Sequence, residues 1–204
     1  MGEKIMNTVR SSGKVVERRE FVAKLVKEIP EALIITSLGS PSYDVFAAGD
    51  RAKNFYLWGA MGGSTPMGLG LALAQPEKSV VVITGDGEQL MGIGSLATIG
   101  AKQPANLTIV VLDNGHYGET GMQRSHLSLG TDLVAVAKGF GIQDAYTVDD
   151  LNNIEMVAAR VKARNGVSLA QVYIDTNEPV RALPSRDGVH IKNRFRAELD
   201  LQPF

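Results

Sequence analysis

Apolar positions along the chain follow two alternating patterns. Val15, Phe21, Val22, Leu25 and Val26 recur at helical spacing, which predicts a helix over residues 15–28 that Pro30 ends. Residues 32–36 form a short unbroken apolar run rich in β-branched side chains, the mark of a buried strand. A turn at Gly39 follows, from which Pro41 or Ser42 opens a short helix through Ala48. Residues 55–58 read as a second strand, and residues 65–74 as a helix with Thr65 as N-cap and Pro66 in first position. Residues 80–84 give the strongest strand signal and residues 107–112 the next. Between them, residues 89–101 read as one helix despite Gly92, Gly94 and Gly100, each costing about 1 kcal/mol inside a helix. Such small residues imply close packing against that helix. A Thr131-capped helix over 131–138, a strand over 145–148, a helix over 151–163 and a strand over 169–174 complete the pattern.

Strand and helix alternate throughout, which predicts a doubly wound α/β fold with a mostly parallel sheet and helices on both faces. Residues 1–14 read as a mobile N-terminal arm, 15–175 as one domain, and 176–204, with Pro179, Pro184 and Pro203, as an extended C-terminal arm. A chain of 204 residues with 44% apolar and 21% charged residues suits such a domain. Balanced charge, 21 Lys and Arg against 22 Asp and Glu, leaves no basic excess for nucleic acid or an anionic membrane. Cysteine is absent, which excludes disulfides, thiol nucleophiles and cluster ligation, and His116, His126 and His190 are too scattered for an all-histidine metal site. No apolar stretch approaches the ~20 residues of a membrane span and no secretory core precedes Glu20, so the sequence reads as cytoplasmic.

The chemistry concentrates where the glycines do, between Gly59 and Gly141. Ligands of open α/β sheets sit beyond the carboxyl ends of the strands. Gly85-Asp86-Gly87 follows one predicted strand, and Asp113-Asn114-Gly115 follows the next. The 26 residues between Gly87 and Asn114 make one helix and one strand, so the two ends can lie side by side. A carboxylate and an amide oxygen there are hard ligands that suit Mg2+ completed by substrate phosphates. Gly85 and Gly87 would let backbone approach an anion. The plainer alternative makes Asp86 a helix cap and Asn114 an ordinary turn residue. Gly92-Ile93-Gly94-Ser95-Leu96-Ala97 matches a dinucleotide fingerprint but lies inside a helical pattern, so it reads as helix packing. Neither a Walker phosphate loop nor a hydrolase nucleophile elbow occurs.

Gly85-Asp86-Gly87 with Asn114, and Gly59-Ala60-Met61-Gly62 upstream, resembles the diphosphate-binding half of thiamine diphosphate (ThDP) enzymes across residues 33–174. The resemblance implies that Mg2+ is held by Asp86, the Asn114 side chain and the His116 carbonyl. It implies that the backbone N–H groups of Gly87 and Glu88 hold the diphosphate. Gly85 and Tyr117 join this cofactor-binding set. Met61 would be the wedge that keeps the cofactor bent, and the Gly59 carbonyl would accept from its aminopyrimidine; core filling is the bland alternative for Met61. Glu88 departs from the Ser or Ala common there, so its charge must point away from the phosphates.

The run from Asn114 to Gly121, followed by Gln123 and His126, is similar to sulfopyruvate decarboxylase beta subunits, and residues 56–70 to their phosphonopyruvate decarboxylase relatives. That implies CO2 loss from an anionic 2-oxo acid. Glu119 and His126 are then candidates for proton transfer and Arg124 for the sulfonate or phosphonate. The flanks are too short for the pyrimidine-binding domain, so the resemblance implies a hetero-oligomer with an alpha subunit that carries it. A ThDP-dependent carboligase or oxidoreductase subunit, and a non-catalytic ThDP-fold binding subunit, are the alternatives.

Overall fold

A computed structural model describes residues 13–202. The N-terminal arm expected over 1–14 therefore lies almost wholly outside the described residues. The elements run α1 (Arg18–Glu28), β1 (Leu33–Thr36), α2 (Ser40–Ala47), β2 (Asn54–Tyr56), α3 (Ser64–Ala74), β3 (Val80–Gly85), α4 (Asp86–Met91) and α5 (Ser95–Lys102). They continue through β4 (Leu107–Asp113), β5 (His116–Tyr117), β6 (Gln123–Arg124), α6 (Leu133–Gly139), β7 (Asp144–Val148), α7 (Ile154–Ala163), β8 (Ser168–Tyr173) and α8 (Gly188–Ala197).

Six strands form one parallel sheet in the order β2-β1-β3-β4-β8-β7, and β5 and β6 make a separate antiparallel hairpin. The central strands are buried on both faces, which is why they read as continuous apolar runs. Alternate side chains feed two cores. Ile34, Val81, Val110 and Ala170 meet Phe21 and Leu25 of α1, Val45 of α2 and Val157 of α7. Leu33, Val80, Val82 and Ile109 meet Leu69 of α3, Ile99 of α5 and Leu133 of α6. The doubly wound α/β expectation is met.

Several local expectations change. Thr65 does not cap α3: its hydroxyl donates to Gln89 Oε1 (2.6 Å), and Gly63 occupies the cap position without a side-chain bond. The helix expected over 89–101 starts earlier and is broken into α4 and α5. At the break Gly92 meets Gly62, whose carbonyl oxygen would lie 2.4 Å from a Cβ on Gly92. Close packing explains Gly92 and Gly100, the latter against the Phe140 carbonyl, whereas Gly94 faces open space. The helix expected from Thr131 starts later, because the Asp132 carboxylate accepts from Ala135 N (2.9 Å) and caps α6.

The extended C-terminal arm is a further correction. Residues 176–187 carry no regular structure, but Asp187 then caps α8, whose Ile191 and Phe195 are buried. Phe195 packs edge-on to Phe55 (5.5 Å), and the Arg194 guanidinium donates to Asp50 and to the Asn54 carbonyl, so α8 covers the β2 edge of the sheet. Only two apolar anchors in a basic helix left its period faint in the sequence.

Candidate functional site

In this sheet β2 lies on one side of β1 and β3 on the other, so the strand order reverses at β1 and β3. The helices that leave these strands, α2 and α4, diverge to opposite faces and leave a crevice above the strand ends. A cavity of about 100 Å³ opens there. Its walls come from the β1–α2 turn (Ser37, Ser40), the β3–α4 turn (Gly85 to Glu88), the end of β4 (Leu112, Asn114), the β5 turn (His116 to Thr120), Met61 and Arg18.

The register brings Gly85 beside Leu112, which sets Asp86 and Asn114 on one wall, as the spacing implied. Asp86 is buried, and the Ser125 hydroxyl donates to its Oδ2. Burial, and after it the Asp113 charge, push the Asp86 carboxyl up to about 7. Asn114 Oδ1 accepts from His116 N (2.9 Å), and His116 Nδ1 lies 2.8 Å from the Asn114 carbonyl oxygen. These bonds hold the turn so that Asn114 and His116 both face the cavity. An amide oxygen carries a second lone pair that a cation can use.

Among the described residues no three His, Asp or Glu side chains converge on a metal position. Asp86, Asn114 and His116 do share the cavity wall, and between them they carry a carboxylate, an amide oxygen and main-chain carbonyls. A buried carboxylate next to a second acidic residue is costly until a cation joins it. A hard divalent ion with free coordination positions for phosphate oxygens fits these donors.

Gly87 is required by its neighbour, since a Cβ there would lie 2.4 Å from the Tyr117 ring. Gly85 faces open space. Met61 stands on the cavity wall with 38% of its surface exposed, so it does not fill the core. Gly59, two residues before it, has φ +71° and lies outside the cavity wall.

Glu88 turns its side chain away from the cavity mouth and into the protein, where it is 4% exposed. Its Oε1 accepts from Gly62 N (3.0 Å), Ser64 N (3.2 Å) and Ser64 Oγ (2.9 Å), and its Oε2 from Ser64 Oγ (2.9 Å) and the Thr84 hydroxyl. The free N–H groups at the start of α3 thus receive a cap from a residue 24 positions away.

The three residues singled out for proton transfer and anion binding do not come together. Glu119 lines the cavity and pairs with Arg181 (3.2 Å). Arg124 is exposed on β6 and bonds Ser128, and His126 is exposed in the short 3-10 turn that follows. Neither lines the cavity. Sequence reading missed Arg18, the first residue of α1, which lines the cavity, is 5% exposed and pairs with the buried Asp44 of α2. A lone arginine at a helix start carries no motif that would have singled it out.

Residues 42–172 match the family described as thiamine pyrophosphate enzyme, C-terminal TPP binding domain. The sulfopyruvate decarboxylase subunit beta of Methanocaldococcus jannaschii is 41% identical over 140 residues, which cover 68% of this chain and 73% of that one. The phosphonopyruvate decarboxylase of Streptomyces viridochromogenes is 37% identical over 182 residues, 88% of this chain and 45% of that one. The chain thus spans most of the first relative and under half of the second. Among solved structures, a thiamine diphosphate-dependent 4-hydroxybenzoylformate decarboxylase from Rhodococcus jostii superposes with a TM-score of 0.68 over 85% of this chain and 35% of that one. At 20% identity that likeness concerns the fold alone.

Proposed function

This chain belongs to the thiamine pyrophosphate enzymes through their C-terminal TPP-binding domain, and from that premise we propose that it is the beta-type half of a two-chain, Mg2+-assisted 2-oxo acid decarboxylase acting on sulfopyruvate. The products are sulfoacetaldehyde and CO2. The observation that carries this reading is the convergence of Asp86, Asn114, His116 and Met61 on one cavity at the reversal point of the sheet, in a chain similar to beta subunits of that name.

Asp86, the Asn114 side chain and the His116 carbonyl would hold Mg2+, and the N–H groups of Gly87 and Glu88 would meet the diphosphate. Gly59 would present its carbonyl to the aminopyrimidine, and Met61 would support the bend between the two rings. When bound, thiamine diphosphate supplies the electron sink for the pair released as CO2 leaves. Leu112, Ile174 and Met61 contribute apolar surface to the cavity wall. Glu119, kept on the wall by Arg181, would exchange a proton at the carbon that CO2 leaves. Arg124 and His126 receive no step in this reading, since they stand outside the cavity.

Phosphonopyruvate is the second reading, favoured by the longer match, 88% of this chain, to a phosphonopyruvate decarboxylase. The partner in either case is a chain that carries the pyrimidine-binding half, with which the active site would be shared. The experiment is reconstitution: the chain, a candidate alpha subunit, ThDP and Mg2+ are assayed for CO2 release from sulfopyruvate, phosphonopyruvate and pyruvate. Sulfopyruvate should give the highest kcat/KM. A preference for phosphonopyruvate selects the second reading. Cofactor binding without turnover of any 2-oxo acid would reject both and leave a carboligase or oxidoreductase subunit. Failure to bind ThDP would leave a non-catalytic binding subunit.

A further inference from the structure

We infer that Glu88 is the positioning residue that fixes Met61 in the cofactor cleft, and that α4 thereby links the metal-binding turn rigidly to the cofactor support. This rests on the reading of Met61 as a cofactor contact. The loop before α3 is tied at its start, by Leu57 N to the Thr36 carbonyl and by Trp58 to the Ser185 carbonyl, and closes on itself through Gly63 N to the Ala60 carbonyl. Gly59 and Gly62 take φ of +71° and +84°, backbone that favours glycine, and Gly59 has no neighbour that a Cβ would touch. Ala60 and Met61 are exposed. Next to Met61 the loop is gripped at two points, by α4 and by the residue that caps its C-terminus.

The first grip is the Glu88 carboxylate, which accepts from Gly62 N and Ser64 N through Oε1 and from the Ser64 and Thr84 hydroxyls through Oε2. One oxygen therefore holds the loop while the other is tied to the end of β3. The second grip is the contact of Gly92 with Gly62, so close that a Cβ on Gly62 would lie 3.0 Å from Gly92 N. Met61 immediately precedes the residue held at both points. Asp86 begins the same short helix. A displacement of Asp86 by a bound cation would be carried through α4 to Met61, and the reverse.

The bridge needs a polar side chain long enough to meet the loop N–H groups with one terminal atom and the Ser64 and Thr84 hydroxyls with the other. Alanine would leave the buried Ser64 N–H and the half-buried Gly62 N–H without their acceptor. Glutamine would keep one acceptor oxygen for Gly62 N and Ser64 N, and its amide could donate to the hydroxyls, so it should restore most of the function. A merely structural role would weaken every ligand of the site alike. A positioning role touches only the part of the ligand that meets Met61.

The test is calorimetric titration of the full-length chain in Mg2+ with two probes, ThDP and inorganic diphosphate, on Glu88→Ala, Glu88→Gln, Met61→Ala and both Glu88 changes combined with Met61→Ala. Supporting partners of this kind typically cost about ten- to hundredfold in affinity when removed. Glu88→Ala should weaken ThDP by about that factor and leave inorganic diphosphate within about twofold. Glu88→Gln should recover most of the loss. Adding Glu88→Ala to Met61→Ala should weaken ThDP no further, because the two act as a unit. Equal losses on both probes, or additive losses in the double variant, would overturn the inference. If Glu88→Ala fails to fold, Glu88→Asp, one methylene too short to span the loop and the end of β3 together, replaces it: it should weaken ThDP while leaving inorganic diphosphate within about twofold, and equal losses on both probes overturn the inference. A wild-type chain that binds ThDP no better than inorganic diphosphate, with Met61→Ala indistinguishable from it, would instead overturn the reading of the cleft.

Discussion

At the scale of single residues, Asp86 trades stability for binding. Its carboxyl rises from the ordinary 3.8 to about 7, mainly through burial. In the metal-free chain the native state therefore keeps this proton to higher pH than the unfolded chain does. Stability from Asp86 is complete below about pH 4, declines as pH rises and reaches its minimum above about pH 7. The difference is worth up to about 4 kcal/mol. Thermal unfolding in EDTA should thus show Asp86→Asn more stable than wild type at about pH 8 and equal to it near pH 4. The same variant should lose Mg2+-dependent ThDP binding. Mg2+ should remove most of the pH dependence of wild type; a wild-type chain whose stability is flat with pH in EDTA would count against this account. Asp86 and Asn114 were legible in the sequence because strand ends and spacing alone bring them together. The Glu88 side chain was not, because its partners Gly62, Ser64 and Thr84 are set by how α4 meets another loop. Arg124 and His126 show the converse: the residue types suit the chemistry, but the β5–β6 hairpin leaves Arg124 exposed and the 3-10 turn after it leaves His126 exposed, both outside the cavity.

At the scale of elements, hydrophobic runs placed every strand of the six-stranded sheet to within about two residues. Caps and breaks were the part that failed. Thr65, Thr131 and a continuous 89–101 helix were all plausible from local propensity; Thr65 and the continuous helix were overruled by contacts distant in sequence, and Thr131 by the stronger cap beside it, Asp132. Gly100 makes the point measurable. Alanine there would add roughly 1 kcal/mol of helix propensity in isolation. In the protein its Cβ would lie 1.7 Å from the Phe140 carbonyl oxygen, which is main chain and cannot swing aside. Gly100→Ala should therefore destabilise the fold by about 1–3 kcal/mol, a Tm drop of about 2–4 °C for each kcal/mol. Gly94→Ala, with open space around it, should be neutral or better in the same melting experiment. Equal melting temperatures for the two variants would show that α5 can slide away from the loop before β7.

At the scale of the whole molecule, the cavity residues assigned to the cofactor lie at one reversal of the sheet, and in the two-chain reading proposed above a partner supplies the pyrimidine-binding half. The purified chain should bind ThDP with Mg2+ and release no CO2 from any 2-oxo acid until that partner is added; turnover by the chain alone would refute the two-chain reading. The C-terminal segment is the part of the molecule most remote from anything the sequence announced. Before it enters α8 it crosses the face of α2, where Arg181 meets Glu119 and Tyr43, and Arg186 lies over the Trp58 ring, whose indole N–H donates to the Ser185 carbonyl at 2.8 Å. Trp58 is the one tryptophan in the chain. The protein thus carries an intrinsic fluorophore in direct contact with its own tail and one residue from the loop assigned to the cofactor. Arg186→Ala should shift or brighten that emission without a change in cofactor affinity. A spectral change on adding ThDP or partner that wild type shows and Arg186→Ala lacks would report the tail contact, and the part common to both would report the cofactor loop, in a stopped-flow trace with no label attached.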